Sequence, residues 1–167
     1  MVADFQAAAE AVGSSVKRFT TIAEAVAYVQ VLAEGAPVSA SLLDPEIREA
    51  FSGTVFAAPD DYAETRLCVS SARAGIAATG TLLLELSDPK DRSATALPLI
   101  HVVFLKASTI VADLYALQNL IAEGLASSGT AYLSLTTGPS RTADIERVLT
   151  IGVHGPKELH VIVLEGE

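Results

Sequence analysis

Tryptophan is absent, cysteine and methionine occur once each, and aromatic residues make up only 5% of the chain. A single thiol, Cys68, closes no internal disulfide. Alone it cannot hold an iron–sulfur cluster or a cysteine-rich zinc site, and it reads as a small buried hydrophobe. Basic residues are scarce: 11 Lys and Arg against 20 Asp and Glu leave a net charge of −9 and a pI near 4.7. Such an acidic chain is a poor partner for nucleic acid or for anionic membrane surfaces. No apolar run reaches transmembrane length, and Met1-Val2-Ala3-Asp4 offers no positive segment of the kind that opens a signal peptide. Membrane insertion is therefore not expected, and the reading is a soluble cytoplasmic protein. The three histidines are scattered and form no helical metal-binding pair, so no metal site is expected. Three catalytic or nucleotide-binding signatures are missing as well. No G-x-G-x-x-G follows a strand, Gly-Lys-Ser/Thr does not occur, and there is no G-x-S-x-G elbow.

Half of the 167 residues are hydrophobic. That length suits one domain with a full core, spanning residues 1–167. Asp4 is placed to cap a first helix that Gly13 ends. Residues 15–19 read as a strand. Thr21 with Glu24 forms the pattern of a capping box, followed by Ile22, Ala25, Val26, Val29 and Leu32 at helical spacing. Asp44-Pro45 starts a short helix. Residues 37–40, 55–58 and 67–70 read as extended, 72–78 as a short helix or turn, and 87–93 as a charged loop. Residues 110–125 read as one long helix. The apolar runs 82–86, 100–105, 131–135 and 159–164 are continuous rather than alternating, which marks strands covered on both faces. The fold class expected is α/β: a three-layer α/β/α sandwich around a mostly parallel central sheet that holds these four strands together. Ligands of such sheets bind beyond the C-terminal ends of the strands.

The stretch from Leu135 to Pro156 concentrates the chemistry. A strand runs into Gly138-Pro139-Ser140-Arg141-Thr142, then Asp144 and Glu146, and later Gly152-Val153-His154-Gly155-Pro156. Gly138 permits a sharp turn or a close backbone approach, and Pro139 fixes its own φ. Thr142 is placed to cap a helix over residues 143–149, whose free N–H groups would suit an anion. Arg141 carries a fork that grips a carboxylate or phosphate. The bland alternative makes Ser-Arg-Thr a cap and turn, with Arg141 paired to Asp144 or Glu146. His154, in a loop, is the histidine best placed for proton transfer. His101 and His160 lie in apolar strands and read as hydrogen-bonded core residues. Asp144 and Glu146 are further catalytic candidates, although a spacing of two does not make a carboxylate pair on a helix. Thr79-Gly80-Thr81 reads either as a second ligand wall, facing the Gly138 loop, or as a tight lead into a strand.

Those same residues carry a resemblance. Gly138-Pro139-Ser140-Arg141-Thr142-Ala143-Asp144-Ile145-Glu146, then Gly152-Val153-His154-Gly155-Pro156 and Glu158-Leu159-His160-Val161, resemble the signature of the LUD-domain family of lactate-utilisation C-type proteins. Ala77-Ala78-Thr79-Gly80-Thr81-Leu82, Leu97-Pro98 and Ile100-His101-Val102-Val103 extend the likeness upstream, so that it covers the chain from about Leu67 onward. The extra helical segment with which many members begin is not expected here. The resemblance implies a fold similar to the NagB/RpiA/CoA-transferase group. It also implies a subunit of a system that oxidises L-lactate to pyruvate, with iron–sulfur clusters held by partner subunits and no cofactor in this chain. The cleft would bind a small anionic metabolite. A reading from another class makes the chain a non-catalytic binding or regulatory domain for a phosphorylated metabolite, a CoA compound or a nucleotide. Homo-oligomers are left open by the sequence.

Overall fold

The computed structural model describes residues 1–126, 131–143, 149–151 and 155–166. The chain opens with α1 (Val2–Ala11), whose Phe5 and Ala9 face inward one turn apart. β1 (Ser15–Phe19) leads to α2 (Ile22–Ala33). Thr21 caps α2 by accepting from the Glu24 N–H at 3.3 Å and donating its hydroxyl to the Glu24 carboxylate at 2.9 Å. β2 (Val38–Ala40) and α3 (Pro45–Ala50) follow, with Pro45 in the first turn of α3 as expected. A 3-10 turn, Pro59–Glu64, precedes three strands: β3 (Leu67–Ser71), β4 (Ala74–Ile76) and β5 (Thr81–Glu85). Then come α4 (Pro89–Ala96), β6 (Ile100–Lys106), the short β7 (Ile110–Val111) and α5 (Gln118–Ala126). The last elements are β8 (Leu133–Thr136), β9 (Arg141–Ala143), β10 (Leu149–Ile151) and β11 (Glu158–Leu164).

Three local expectations differ from the structure. Residues 72–78 hold β4 and a turn rather than a helix, because the Gly80 N–H closes on Ile76 O at 2.9 Å and folds β4 back on β5. Residues 87–93 hold the start of α4: Asp88 accepts from the Lys90 N–H at 2.9 Å and Pro89 takes the first turn. Residues 110–125 are not one helix. Ile110 and Val111 pair with Gly75 and Ile76 as strand, and the helical part starts only after Asp113, which accepts from the Ala116 N–H.

The central sheet has five strands in the order β1-β11-β6-β3-β2, and every neighbouring pair is parallel. The fold is α/β with a mostly parallel central sheet flanked by helices. The expectation of a single sheet does not hold. β5 and β8 belong to a second, four-stranded sheet, β7-β4-β5-β8, in which β5 pairs antiparallel with both neighbours. The physical reason is burial. On one face of the central sheet, Val102, Phe104, Ile162 and Leu164 pack under α2 and α3. On the other, Val103, Leu105, Val161 and Val163 pack against α1 and against Leu82 and Leu84 of β5. The far face of β5 presents Leu83, which packs with Leu117 and the apolar side of α5. A strand of the second sheet is thus covered on both faces like one of the first, and its sequence is equally continuous.

Candidate ligand-binding site

β8 divides two cavities by the alternation of its side chains. Ser134 and Thr136 point into the space between the two sheets, and Leu135 points out toward a separate cavity with Thr137, just beyond the strand. The inner cavity measures about 400 Å³. Leu84 and Leu86 line it from the second sheet, His101 and Leu159 from the central sheet, and Arg92, Thr95 and Ala96 from α4. His101 and Leu159 sit opposite each other in the register, each the second residue of its strand. The cavity therefore lies at the N-terminal ends of β6 and β11, not beyond the C-terminal ends as the general rule for open sheets led us to expect. At the C-terminal ends stand partly exposed charge pairs: Lys106 meets Glu46 and Asp44, and Arg18 meets Glu165. The second sheet opens its gap at the opposite end.

One lip of the cavity joins the two halves of the signature stretch. Gly138, Pro139 and Ser140 lie beside Gly155 and Pro156, and the Ser140 N–H donates to Pro156 O at 3.0 Å. Arg92 supplies the cationic group among the described lining residues. Its Nη1 donates to Leu86 O at 2.8 Å and to Ser87 O at 3.2 Å, and its guanidinium lies 5.0 Å from the centroid of the Tyr132 ring. These contacts fix the fork while Nε and Nη2 lie outside those two bonds. Arg92 takes no part in the ion pairs among the described residues. His101 is buried, and its Nε2 shares a hydrogen bond of 2.7 Å with Ser70 Oγ. Burial pushes its imidazole down to about 4, so the ring is neutral near pH 7.

The expected site residues do not meet at one place. Gly138 and Ser140 line the inner cavity. Thr79 and Thr81 line the outer one, of about 350 Å³, and so do not face the Gly138 loop across a common cleft. Their hydroxyls form a chain, Thr79 to Thr81 at 2.7 Å and Thr81 to Thr137 at 2.7 Å. Gly80 has φ +65°, and a Cβ there would stand 2.2 Å from the Ala9 N atom of α1. Close packing of a helix thus accounts for this glycine. Arg141 is exposed and lies outside the residues lining the cavity. Its Nη2 donates to Val12 O at 2.7 Å, at the C-terminal end of α1, where a helix leaves carbonyls unsatisfied and favours a cation. Gly138 has φ +73° and fits the same corner, since a Cβ would stand 2.7 Å from Val12 O. Thr142 does not cap a helix: Arg141–Ala143 form β9, antiparallel to Leu149–Ile151, and Thr142 pairs with Thr150 there, while the residues between lie outside the described ones. Asp144, Glu146 and His154 lie outside the described residues.

Sequence reasoning missed Arg92, Thr95, Ser134 and Thr136, and took His101 only as a core residue. The signal available was the polar alternation Ser134-Leu135-Thr136-Thr137 within an apolar strand. Arg92 had none, because its segment read as a loop. His160, also expected in the core, is hydrogen-bonded, to Tyr28 at 2.9 Å and to Glu158 at 3.0 Å.

An α/β domain with a cavity of metabolite size between two sheets, edged by two glycine–proline turns, is what fold and site define. The family model of the LUD domain matches residues 58–164, which include every lining residue named above, and the chain belongs to that family. It is similar to Lactate utilization protein C of Bacillus licheniformis, with 36% identity over 92 residues, 54% of this chain and 38% of that protein. Lactate utilization protein C of Bacillus subtilis matches at 34% over 91 residues, 53% of this chain and 38% of that protein. A protein of Neisseria meningitidis serogroup B, Uncharacterized protein NMB1437, matches at 32% over 98 residues, 57% and 40% of the two chains. The match thus spans about two-fifths of the length of these curated relatives. Among solved structures, a DUF162 family protein from Deinococcus radiodurans superposes with a TM-score of 0.66, covering 98% of this chain and 95% of that one. At 15% identity, that likeness speaks for the fold alone.

Proposed function

We propose that the chain serves lactate utilisation, as the LUD-domain subunit of a cytoplasmic system that oxidises L-lactate to pyruvate. The observation that carries this reading is its similarity to proteins named Lactate utilization protein C. In this proposal the inner cavity binds the substrate carboxylate. Arg92 takes the anion through its fork, because it is already held in place by two carbonyls and the Tyr132 ring. Thr136, Ser134 and Ser140 line the same space with hydroxyls. Arg141 holds α1 against the signature loop. Electron transfer is assigned to separate iron–sulfur subunits. A cluster does not fit this chain's own residues, since Cys68 is fully buried and its thiol is pushed up to about 12. Among the described residues no helix is long and apolar enough to cross a membrane.

The test is a thermal-shift series on the purified chain with L-lactate, pyruvate, inorganic phosphate, coenzyme A compounds and nucleotides. A ligand that binds only the folded state raises the melting temperature. L-lactate and pyruvate are expected to raise it in the wild type and not in Arg92→Ala. Stabilisation by phosphate, coenzyme A or nucleotide, with none from lactate, would replace this reading with that of a regulatory binding domain.

A further inference from the structure

We infer that His101, backed by Ser70, recognises the oxygen at C2 of the bound acid, so that the cavity selects 2-hydroxy and 2-oxo carboxylates with a short apolar substituent. This rests on the preceding proposal that the inner cavity takes a carboxylate on Arg92. His101 lines that cavity together with Arg92. Only Ser70 bonds its ring among the described residues, and it does so through Nε2. Ser14 Oγ is the sole sealed side-chain polar atom without a partner among those residues. Nδ1 takes no partner among the described residues, and the proposal aims it at the cavity that His101 lines. Leu84, Leu86 and Leu159 supply the apolar wall for the substituent on C2.

The Ser70 hydroxyl lets this imidazole serve both members of a redox pair. A neutral imidazole has one N–H and one lone pair. An alcohol at C2 donates to the Nδ1 lone pair; the ring proton then sits on Nε2 and is donated to Ser70 Oγ. A ketone at C2 accepts from Nδ1–H; the Ser70 hydroxyl then rotates and donates to Nε2. The serine adapts by turning its O–H, and the site carries the same charge in both states. Burial keeps the ring neutral near pH 7, which is the condition for this exchange. A buried cationic histidine would donate from both nitrogens and offer no acceptor to an alcohol.

The experiment compares L-lactate, pyruvate and propionate by isothermal titration of the full chain. Propionate keeps the carboxylate and the apolar tail but has no oxygen at C2. The wild type is expected to prefer lactate and pyruvate over propionate by roughly three- to tenfold, the range of one neutral hydrogen bond. His101→Leu should bind all three alike, with propionate unchanged, and His101→Gln should recover part of the preference. Imidazole 15N shifts of the wild type give a readout that needs no variant: lactate should place the proton on Nε2 and pyruvate should place it on Nδ1. A preference that survives in a folded His101→Leu, or one tautomer with both ligands, overturns the inference and leaves the carboxylate reading standing. A wild type that binds none of the three acids overturns that reading and the inference with it.

Discussion

His101 shows how one residue can look ordinary in sequence and still decide the chemistry of a cavity. Its neighbours, Ile100 and Val102, are apolar, and the core reading followed from them; the ring is indeed buried and hydrogen-bonded. What the strand alone cannot say is that the face shared with Val103 and Leu105 ends at a gap between two sheets. The burial has a consequence for stability. An ordinary histidine titrates near 6.5, and in the folded chain this one is held down to about 4. Between those values the unfolded chain binds the proton and the folded chain does not. Stability from this residue is therefore complete above about pH 6.5 and falls as the pH drops toward 4, by a total of about 3 kcal/mol. Urea titrations of wild type and His101→Gln at intervals from pH 7 to pH 4.5 read this directly. The wild type should lose stability more steeply, and parallel curves would remove His101 as the cause.

At the scale of elements, the signature stretch works as a joint. Val12 and Gly13, at the end of α1, meet Gly138, Pro139 and Arg141, while Ser140 ties the same loop to Pro156 ahead of β11. Glycine and arginine at these positions were legible from the sequence as special, and so was the alternative that Arg141 is a structural clip. Its observed partner was not legible, because Val12 is 129 positions away in the chain. Contacts of that range follow from topology, and a reading that puts β5 and β8 in the central sheet does not give the observed topology. Apolar runs report only that both faces are covered, not which layer covers them. Helix caps at Thr21 and Asp88 are local, and Thr21 was read correctly for that reason. Asp88 is less legible, because Ser87-Asp88-Pro89 also looks like a turn. The joint makes a prediction. Arg141→Ala should lower the melting temperature of the empty protein by roughly 1–4 °C, the loss of one exposed charged hydrogen bond. It should leave carboxylate affinity as it was. An unchanged melting temperature with lost binding would instead make Arg141 a ligand group.

The whole molecule sets its two larger sheets against each other, and where they part the lining turns polar, with Ser134, Thr136, His101 and Arg92 facing one space. Most of that interface is aliphatic: Leu82, Leu84, Val103, Leu105, Val161 and Val163 seal it. At the N-terminal ends of β6 and β11 the sheets are bridged by α4 and the two glycine–proline turns instead, and the seal gives way to the cavity. The same architecture bears on cofactors. Cys68 lies on β3 of the central sheet, fully buried beside Tyr62 and Ala94. Desolvation holds its thiol up to about 12, so the thiolate that a metal requires is strongly disfavoured at neutral pH. Among the described residues no three histidine, cysteine, aspartate or glutamate side chains cluster to hold a metal ion. The chain purified alone is thus expected to contain no stoichiometric iron or zinc and to show no cluster absorption in the visible range. Elemental analysis and an anaerobic reconstitution with iron and sulfide test this together. Iron retained at one or more atoms per chain, and lost in Cys68→Ala, would show that the sheet opens to expose the thiol. It would also overturn the proposal that electron transfer belongs to separate subunits.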